Sequence, residues 1–265
     1  MSQTELAAMI NEVSALNRPK RIARILTSGL SRKATTAVLR AEFARDSSTG
    51  VPVGDGVAWI DVKSAEIDYF TFYGSLIDGH FPCEVRGAAV LDIGAHKGYF
   101  ALRCLMSGAR RVDSYEPASQ NFTRLEQSAT SFEGRGEWHV HKSAVGAQAG
   151  SVELHLSSGS WGHSVHVPVG GISVGSETVE KIALSSALHS VGEDGGPVVV
   201  KINVEGAAGE MILGTTPTDW VNVTKLWVDV EDNDPLGLAP ITDHLRASGL
   251  THVRSENHRN LFVRT

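Results

Sequence analysis

From Ala88 onward, short apolar runs alternate with stretches whose apolar residues recur every three or four positions. The runs at 89–93, 111–115, 138–142, 198–202 and 225–230 read as buried strands, and the stretches at 98–107, 119–130, 207–213 and 240–247 as amphipathic helices. Two further segments, 252–255 and 261–264, predict a closing antiparallel hairpin. Parallel strands need crossover connections long enough to hold a helix. The alternation therefore predicts an α/β fold: a doubly wound, mostly parallel seven-stranded sheet covered on both faces. Between the third and fourth strands lies an insertion, 150–196, in which 151–156 and 165–169 read as a hairpin and 178–189 as a helix.

The N-terminal part follows another pattern. Leu6, Met9, Ile10 and Val13, then Ile22, Ile25 and Leu26, recur at helical spacing with Pro19 and Gly29 as punctuation, predicting two or three short amphipathic helices. Residues 47–56, rich in Gly, Ser and Pro, read as a linker or exposed turn before an alternating strand at 57–62. The aromatic run Tyr69-Phe70-Thr71-Phe72-Tyr73 follows. We divide the chain into an N-terminal helical and aromatic cap over 1–86 and an α/β domain over 87–265. Phe70, Phe72 and Tyr73 either wall a pocket or pack against the sheet, and packing is the simpler expectation.

Composition narrows the function classes. With Lys+Arg at 24 and Asp+Glu at 30 the net charge is −6, which argues against nucleic-acid affinity over the whole surface. Residues 1–45 depart from this balance, holding eight basic residues against Glu5, Glu12 and Glu42; solvated helix faces account for them most simply. Cys83 and Cys104 are the two cysteines, without CxxC spacing, so neither a disulfide framework nor a zinc or redox motif is expected. No stretch approaches the ~18 apolar residues of a membrane helix. Glu5 and Glu12 interrupt the apolar core that a signal peptide would need. The expectation is a cytoplasmic protein that neither spans a membrane nor binds nucleic acid.

The densest chemical signal is VLDIGAHKGYF at 90–100, a buried strand that breaks at a glycine-rich turn and enters a helix. Its D-x-G-x-x-x-G spacing matches neither the dinucleotide fingerprint nor a P-loop. A diphosphate seeks backbone N–H groups at a helix N-terminus, and Asp92 places a carboxylate where it would repel one. The same carboxylate suits a ligand carrying an ammonium and a sulfonium, and S-adenosyl-L-methionine carries both. Glu116 ends the next strand 24 positions after Asp92, where an acidic residue accepts ribose hydroxyls in nucleoside-binding α/β folds.

The segment from Val90 to Leu125, with its DIGAH loop, Gly-Tyr-Phe helix start and strand-end Glu116-Pro117, resembles the S-adenosylmethionine site of FkbM-type methyltransferases. The resemblance continues in Ala144-Val145-Gly146 and in Lys201-Ile202-Asn203-Val204-Glu205-Gly206-Ala207, which is similar to the family's K-I-D-x-E-G-A. It spans roughly 85–230 and implies a Rossmann-like class I methyltransferase fold acting on a small-molecule acceptor, often a hydroxyl of a sugar or natural product. On this basis Asp92, Gly94, Ala95, His96, Gly98, Tyr99, Glu116, Pro117, Ser143, Ala144 and Asn203 are the expected cofactor contacts. Two positions depart from the pattern: Asn203 replaces an Asp and Ala208 stands where an acidic residue is common. An amide is neither a base nor a strong ligand for a hard cation, and no bound metal is expected.

A hydroxyl acceptor must lose a proton during methyl transfer, whereas a neutral amine need not. Glu205 and Glu231, on the rim beyond the strand ends, are the candidates for orientation or general-base work. His163, on the insertion and flanked by Trp161, is a third candidate base. The acidic rim equally suits an N-methyltransferase with an amine or amino-acid acceptor. A different class is raised by Gly171-Ile172-Ser173-Val174-Gly175, which matches the G-x-S-x-G of a serine hydrolase with Ser173 as nucleophile. That reading leaves the Asp92 loop unexplained.

Overall fold

The computed structural model describes residues 23, 26–27, 32–43, 48–61, 71–78, 81, 84–166 and 172–265. At its centre is a seven-stranded sheet built from β3 (Ala89–Ile93), β4 (Arg111–Tyr115), β5 (Glu137–His141), β9 (Val198–Ile202), β10 (Val223–Asp229), β11 (Leu250–Glu256) and β12 (Arg259–Arg264). Their order across the sheet is β11-β12-β10-β9-β3-β4-β5. Every pairing from β10 through β5 is parallel, while β12 runs antiparallel to both β10 and β11. This is the α/β, mostly parallel arrangement with a C-terminal hairpin that the alternation predicts.

All five residues of β3 and of β9 are buried, as central parallel strands covered on both faces require. Alternation assigns the faces. Leu91, Ile93, Val200 and Ile202 pack with α4 (Leu184–Val191), α5 (Ala208–Leu213) and α6 (Leu238–Ala247). Val90, Val112, Val199 and Trp227 meet Phe100, Cys104 and Leu105 of α2 (Tyr99–Met106) on the other side. The helix α3 (Ser119–Thr130) follows β4 within the same layered order.

Three segments differ from the sequence reading. Residues 47–56 are not a linker: β1 (Ser48–Val53) pairs antiparallel with β2 (Gly56–Asp61), Ser48 opposite Asp61. Gly50 and Pro52 disguised this strand, and both are tolerated because a two-stranded ribbon is all edge. In the insertion, β7 (Gly150–Ser157) pairs with β8 (Ser173–Ala183), while residues 167–169 of the expected partner strand lie outside the described residues. β8 occupies the residues expected to begin a helix, and α4 starts at Leu184. The Thr178-Val179 pair favours strand, and Val179 points into the cluster with Leu154. β6 (Ala144–Gly146) completes this small sheet in the order β6-β8-β7.

In the N-terminal part, α1 spans Arg32–Phe43, and its Ala37 and Leu39 pack against Val51, Val53, Ile60, Phe72 and Leu102. Phe72 is fully buried there, 5.6 Å from the ring of Tyr99, so it packs rather than walls a pocket. Leu26 is exposed. Leu6, Met9, Ile10, Val13, Ile22, Ile25 and Phe70 lie outside the described residues. No described helix is long and apolar enough to cross a membrane.

Candidate functional site

The carboxyl ends of the parallel strands form one rim, the place where open α/β sheets receive ligands. In sheet order it carries Glu231 after β10, Asn203 and Glu205 after β9, Asp92 and its loop at β3, Glu116 after β4, and Ser143 and Ala144 after β5. Ser143 and Ala144 are buried at the far end of this row.

The glycine loop is fixed by close approach. Gly94 takes φ 72°, and a Cβ there would lie 1.9 Å from the carbonyl oxygen of Asn203. Only glycine lets the loops after β3 and β9 come this near. The Asn203 N–H donates to the Ile93 carbonyl at 3.1 Å across the same gap, and the N–H groups of Gly94 and Ala95 both donate to the Tyr115 carbonyl at 3.0 Å. His96 follows at φ 53°, a left-handed conformation uncommon for a residue with a side chain.

Asp92 is wholly buried, with Oδ1 3.0 Å from the ammonium of Lys201. That ammonium also donates to the carbonyls of Ile93 and Gly94, at 3.2 and 2.7 Å. Burial pushes the Asp92 carboxyl up and Lys201 opposes the shift. The sequence reading expected Asp92 to meet a cationic ligand directly; instead its charge is met from within the protein, and the pair holds the loop from beneath. Lys201 was the missed residue, and its signal was a lysine inside an otherwise apolar strand.

Glu116 sits where a nucleoside-binding carboxylate belongs. Its Oε2 accepts the His96 N–H at 2.8 Å and its Oε1 accepts the Ala118 N–H at 3.0 Å, beyond Pro117. Burial pushes this carboxyl up to about 7, against those hydrogen bonds. A carboxylate has acceptor capacity beyond two bonds, so hydroxyls can still be received.

The insertion reaches over this part of the rim. The Ser160 hydroxyl lies 3.1 Å from His96 Nε2, the Ser160 carbonyl accepts Asn121 Nδ2 at 2.6 Å, and the Ser164 hydroxyl donates to the Glu205 carbonyl at 2.9 Å. Burial drives His96 well below the ordinary histidine value, so its ring is neutral at physiological pH. His163, expected as a base, accepts the Ser157 N–H on Nδ1 at 3.0 Å. That bond occupies the Nδ1 lone pair and places the ring proton on Nε2, and burial lowers the affinity of the ring for a second proton. The ring of Tyr99, also an expected cofactor contact, packs against Phe72 and His96, and its hydroxyl donates to the Trp59 carbonyl at 2.5 Å.

Glu205, Glu231 and Asp229 form the acidic end of the rim. Burial first, and then repulsion, raises both glutamates: Glu205 to about 8, repelled by Asp229, and Glu231 to about 10, repelled by Glu205 and Asp229. Burial raises Asp229 as well, against Arg259 and His258. Glu231 is oriented by the Gly206 N–H, 2.7 Å from Oε2. Among the described residues no group of three or more His, Cys, Asp and Glu side chains is arranged to hold a metal ion. Ser173 begins β8 on an exposed antiparallel strand, so its G-x-S-x-G is not the strand-to-helix elbow a hydrolase needs.

Several buried polar atoms on the rim have no hydrogen-bond partner among the described residues: His96 Nδ1, Asn121 Oδ1, Asn203 Oδ1 and Asp229 Oδ1. They belong to the loop after β3, the first helical turn after β4, the loop after β9 and the last residue of β10. Buried polar atoms in folded proteins are bonded as a rule, so these four carry hydrogen-bonding capacity that the described residues do not use.

No family model and no curated protein sequence matches the chain. Among solved structures it is similar to a methyltransferase FkbM from Methylobacillus flagellatus KT, at 16% identity and a TM-score of 0.48, over 77% of this chain and 55% of that one. The chain thus spans a little over half the length of that protein. It is also similar to magnesium protoporphyrin IX methyltransferase (ChlM) from Synechocystis PCC 6803 with bound SAM, at 12% identity and a TM-score of 0.39, covering 99% of this chain and 97% of that one. A SAM-dependent methyltransferase from Agrobacterium tumefaciens matches at 7% identity and a TM-score of 0.41, over 83% and 70% of the two chains. Each of the three is named as a methyltransferase.

Proposed function

We propose that the protein transfers a methyl group from S-adenosyl-L-methionine to a small molecule, with a hydroxyl of a sugar or natural-product intermediate as the acceptor. One observation carries this reading: the unpartnered buried atoms of His96, Asn121 and Asn203 surround a glycine loop whose neighbouring carboxylate, Glu116, keeps acceptor capacity for ribose hydroxyls. The residues present fit the group, since acceptors line the loop and its two lysines, Lys97 and Lys201, are engaged by Asp61 and Asp92.

When bound, the cofactor supplies a methyl carbon already activated by its sulfonium. The protein's work is then alignment and water exclusion. Glu116 receives the ribose, the Gly94–Gly98 turn accommodates the amino-acid end, and Ser143 and Ala144 close the far side of the row. The loop at 158–166, tied to His96, Asn121 and Glu205, excludes water. Glu205 is the candidate base: its raised carboxyl suits taking a hydroxyl proton near neutral pH. Glu231, held by Gly206, orients the acceptor. The segment 1–86 shapes the acceptor pocket, while 87–265 binds the cofactor. The clustering of Glu205, Asp229 and Glu231 favours, as a second reading, an amine acceptor methylated at nitrogen.

Calorimetric titration with S-adenosylmethionine and S-adenosylhomocysteine, with and without magnesium, tests the cofactor. Micromolar binding is expected, and absence of binding to folded protein overturns the reading. Labelled S-adenosylmethionine offered with hydroxyl and amine acceptors then separates the two acceptor classes.

A further inference from the structure

We infer that the β1–β2 hairpin is a brace that sets the glycine loop, with Lys97 and Asp61 as positioning residues of the cofactor site. The inference rests on the cofactor reading above. Lys97 lies inside the loop, between His96 and Gly98, yet its side chain is fully buried and its ammonium stands 3.0 Å from Asp61 Oδ2 at the end of β2. The other Asp61 oxygen accepts the Ser48 hydroxyl from the opposite strand and Arg124 Nε of α3 at 3.0 Å. One carboxylate therefore joins the loop, both hairpin strands and the helix that follows Glu116. Two residues further on, Tyr99 makes the second tie, its hydroxyl on the Trp59 carbonyl of β2.

A buried ion pair is a poor device for stability, because desolvation consumes most of the Coulombic gain and apolar replacements often do as well. It is an effective device for position, since neither charge tolerates separation from the other. The loop needs that service. The His96 N–H must reach Glu116 at 2.8 Å from a left-handed backbone conformation, and the neighbouring residue is pinned on the hairpin side by Asp61. The loop is thus held from two directions, by Glu116 at residue 96 and by Asp61 at residue 97.

The test uses the full chain and three variants: Asp61→Asn, Lys97→Met, and both together, the last removing both charges of the buried pair and leaving the half-buried Arg124 a neutral acceptor. In the double variant S-adenosylhomocysteine binding is expected to weaken about tenfold or more, with a melting temperature close to that of the parent. Each single variant is expected to lose as much as the pair, the non-additivity of residues acting as a unit. Hydrogen exchange of the 90–100 peptide is expected to accelerate in the double variant without ligand. A folded double variant with parental affinity and parental exchange overturns the inference. If the parent itself binds no S-adenosylhomocysteine, the cofactor reading fails, and exchange of the loop still decides whether the hairpin braces it. Should the double variant not fold, Ser48→Ala with Arg124→Gln weakens the support of Asp61 alone. Affinity loss and faster loop exchange of the same sign are then expected, and their absence overturns the inference.

Discussion

Lys201 stands beside Asp92 in the parallel register of β9 and β3 and closes a 3.0 Å ion pair in a place fully withdrawn from water. The two central strands are thereby joined by a charge pair directly under the turn at Gly94. Through Lys201, which also donates to the Ile93 and Gly94 carbonyls, the acidic residue of the D-x-G motif supports the backbone of the loop.

Removing one member of such a pair leaves the other charged and enclosed. Lys201→Met is expected to destabilise the fold by about 3–5 kcal/mol, read as a lowered urea midpoint. Adding Asp92→Asn should recover a large part of that loss. A Lys201→Met protein as stable as the parent would show that Asp92 finds another partner.

Gly94 is confined by backbone rather than by side chains, which gives a sharper expectation. Gly94→Ala would put a methyl 1.9 Å from the Asn203 carbonyl in a conformation that alanine already disfavours. The loops after β3 and β9 must separate, and S-adenosylhomocysteine binding should be lost in calorimetry. Circular dichroism should still show the α/β core, because the packing of Leu91 and Val200 lies deeper in the sheet.

How far the sequence was legible follows from the kind of order each part has. The strands at 89–93 and 198–202 coincide with the predicted ones because burial on both faces leaves runs that are apolar except at Asp92 and Lys201, and 111–115 follows from its place between two helical stretches. The rim was legible too, since strand ends place Asp92, Glu116, Asn203, Glu205 and Glu231 without reference to side-chain detail. What could not be read were pairings between distant segments. Asp61 with Lys97, Ser160 with His96, and β7 with β8 each depend on tertiary contact and leave no periodic signal. The same holds for charge state: nothing local marks His163 as held by the Ser157 N–H.

Glu116 should govern both affinity and its pH dependence. Loss of its charged hydrogen bonds in Glu116→Ala is expected to weaken S-adenosylhomocysteine binding by about 1.5–3 kcal/mol for each bond lost. Its carboxyl, raised by burial to about 7, must be ionised to accept ribose hydroxyls most strongly. Affinity of the parent should therefore increase as pH rises through that value. Glu116→Gln, which cannot ionise, should bind weakly with no such increase, and a slope retained in this variant would assign the titration elsewhere.

Glu205 and Glu231 make a prediction about stability whose sign is set by proton uptake. Both carboxyls are raised above their ordinary value of 4.5 by burial and by neighbouring carboxylates, Asp229 beside Glu205 and both of these beside Glu231, so above that pH the folded protein binds more protons than the unfolded chain. Stability must then fall as pH rises. The contribution is fully present below the unfolded value and is lost as pH climbs through the raised folded values. The melting temperature should accordingly decline from about pH 5 to about pH 10. Glu231→Gln removes the group with the higher value, so the decline should become shallower and the variant more stable than the parent at the alkaline end. A steeper decline in Glu231→Gln would mean that this carboxylate is stabilised by a cation, and that the repulsion argued here does not dominate the rim.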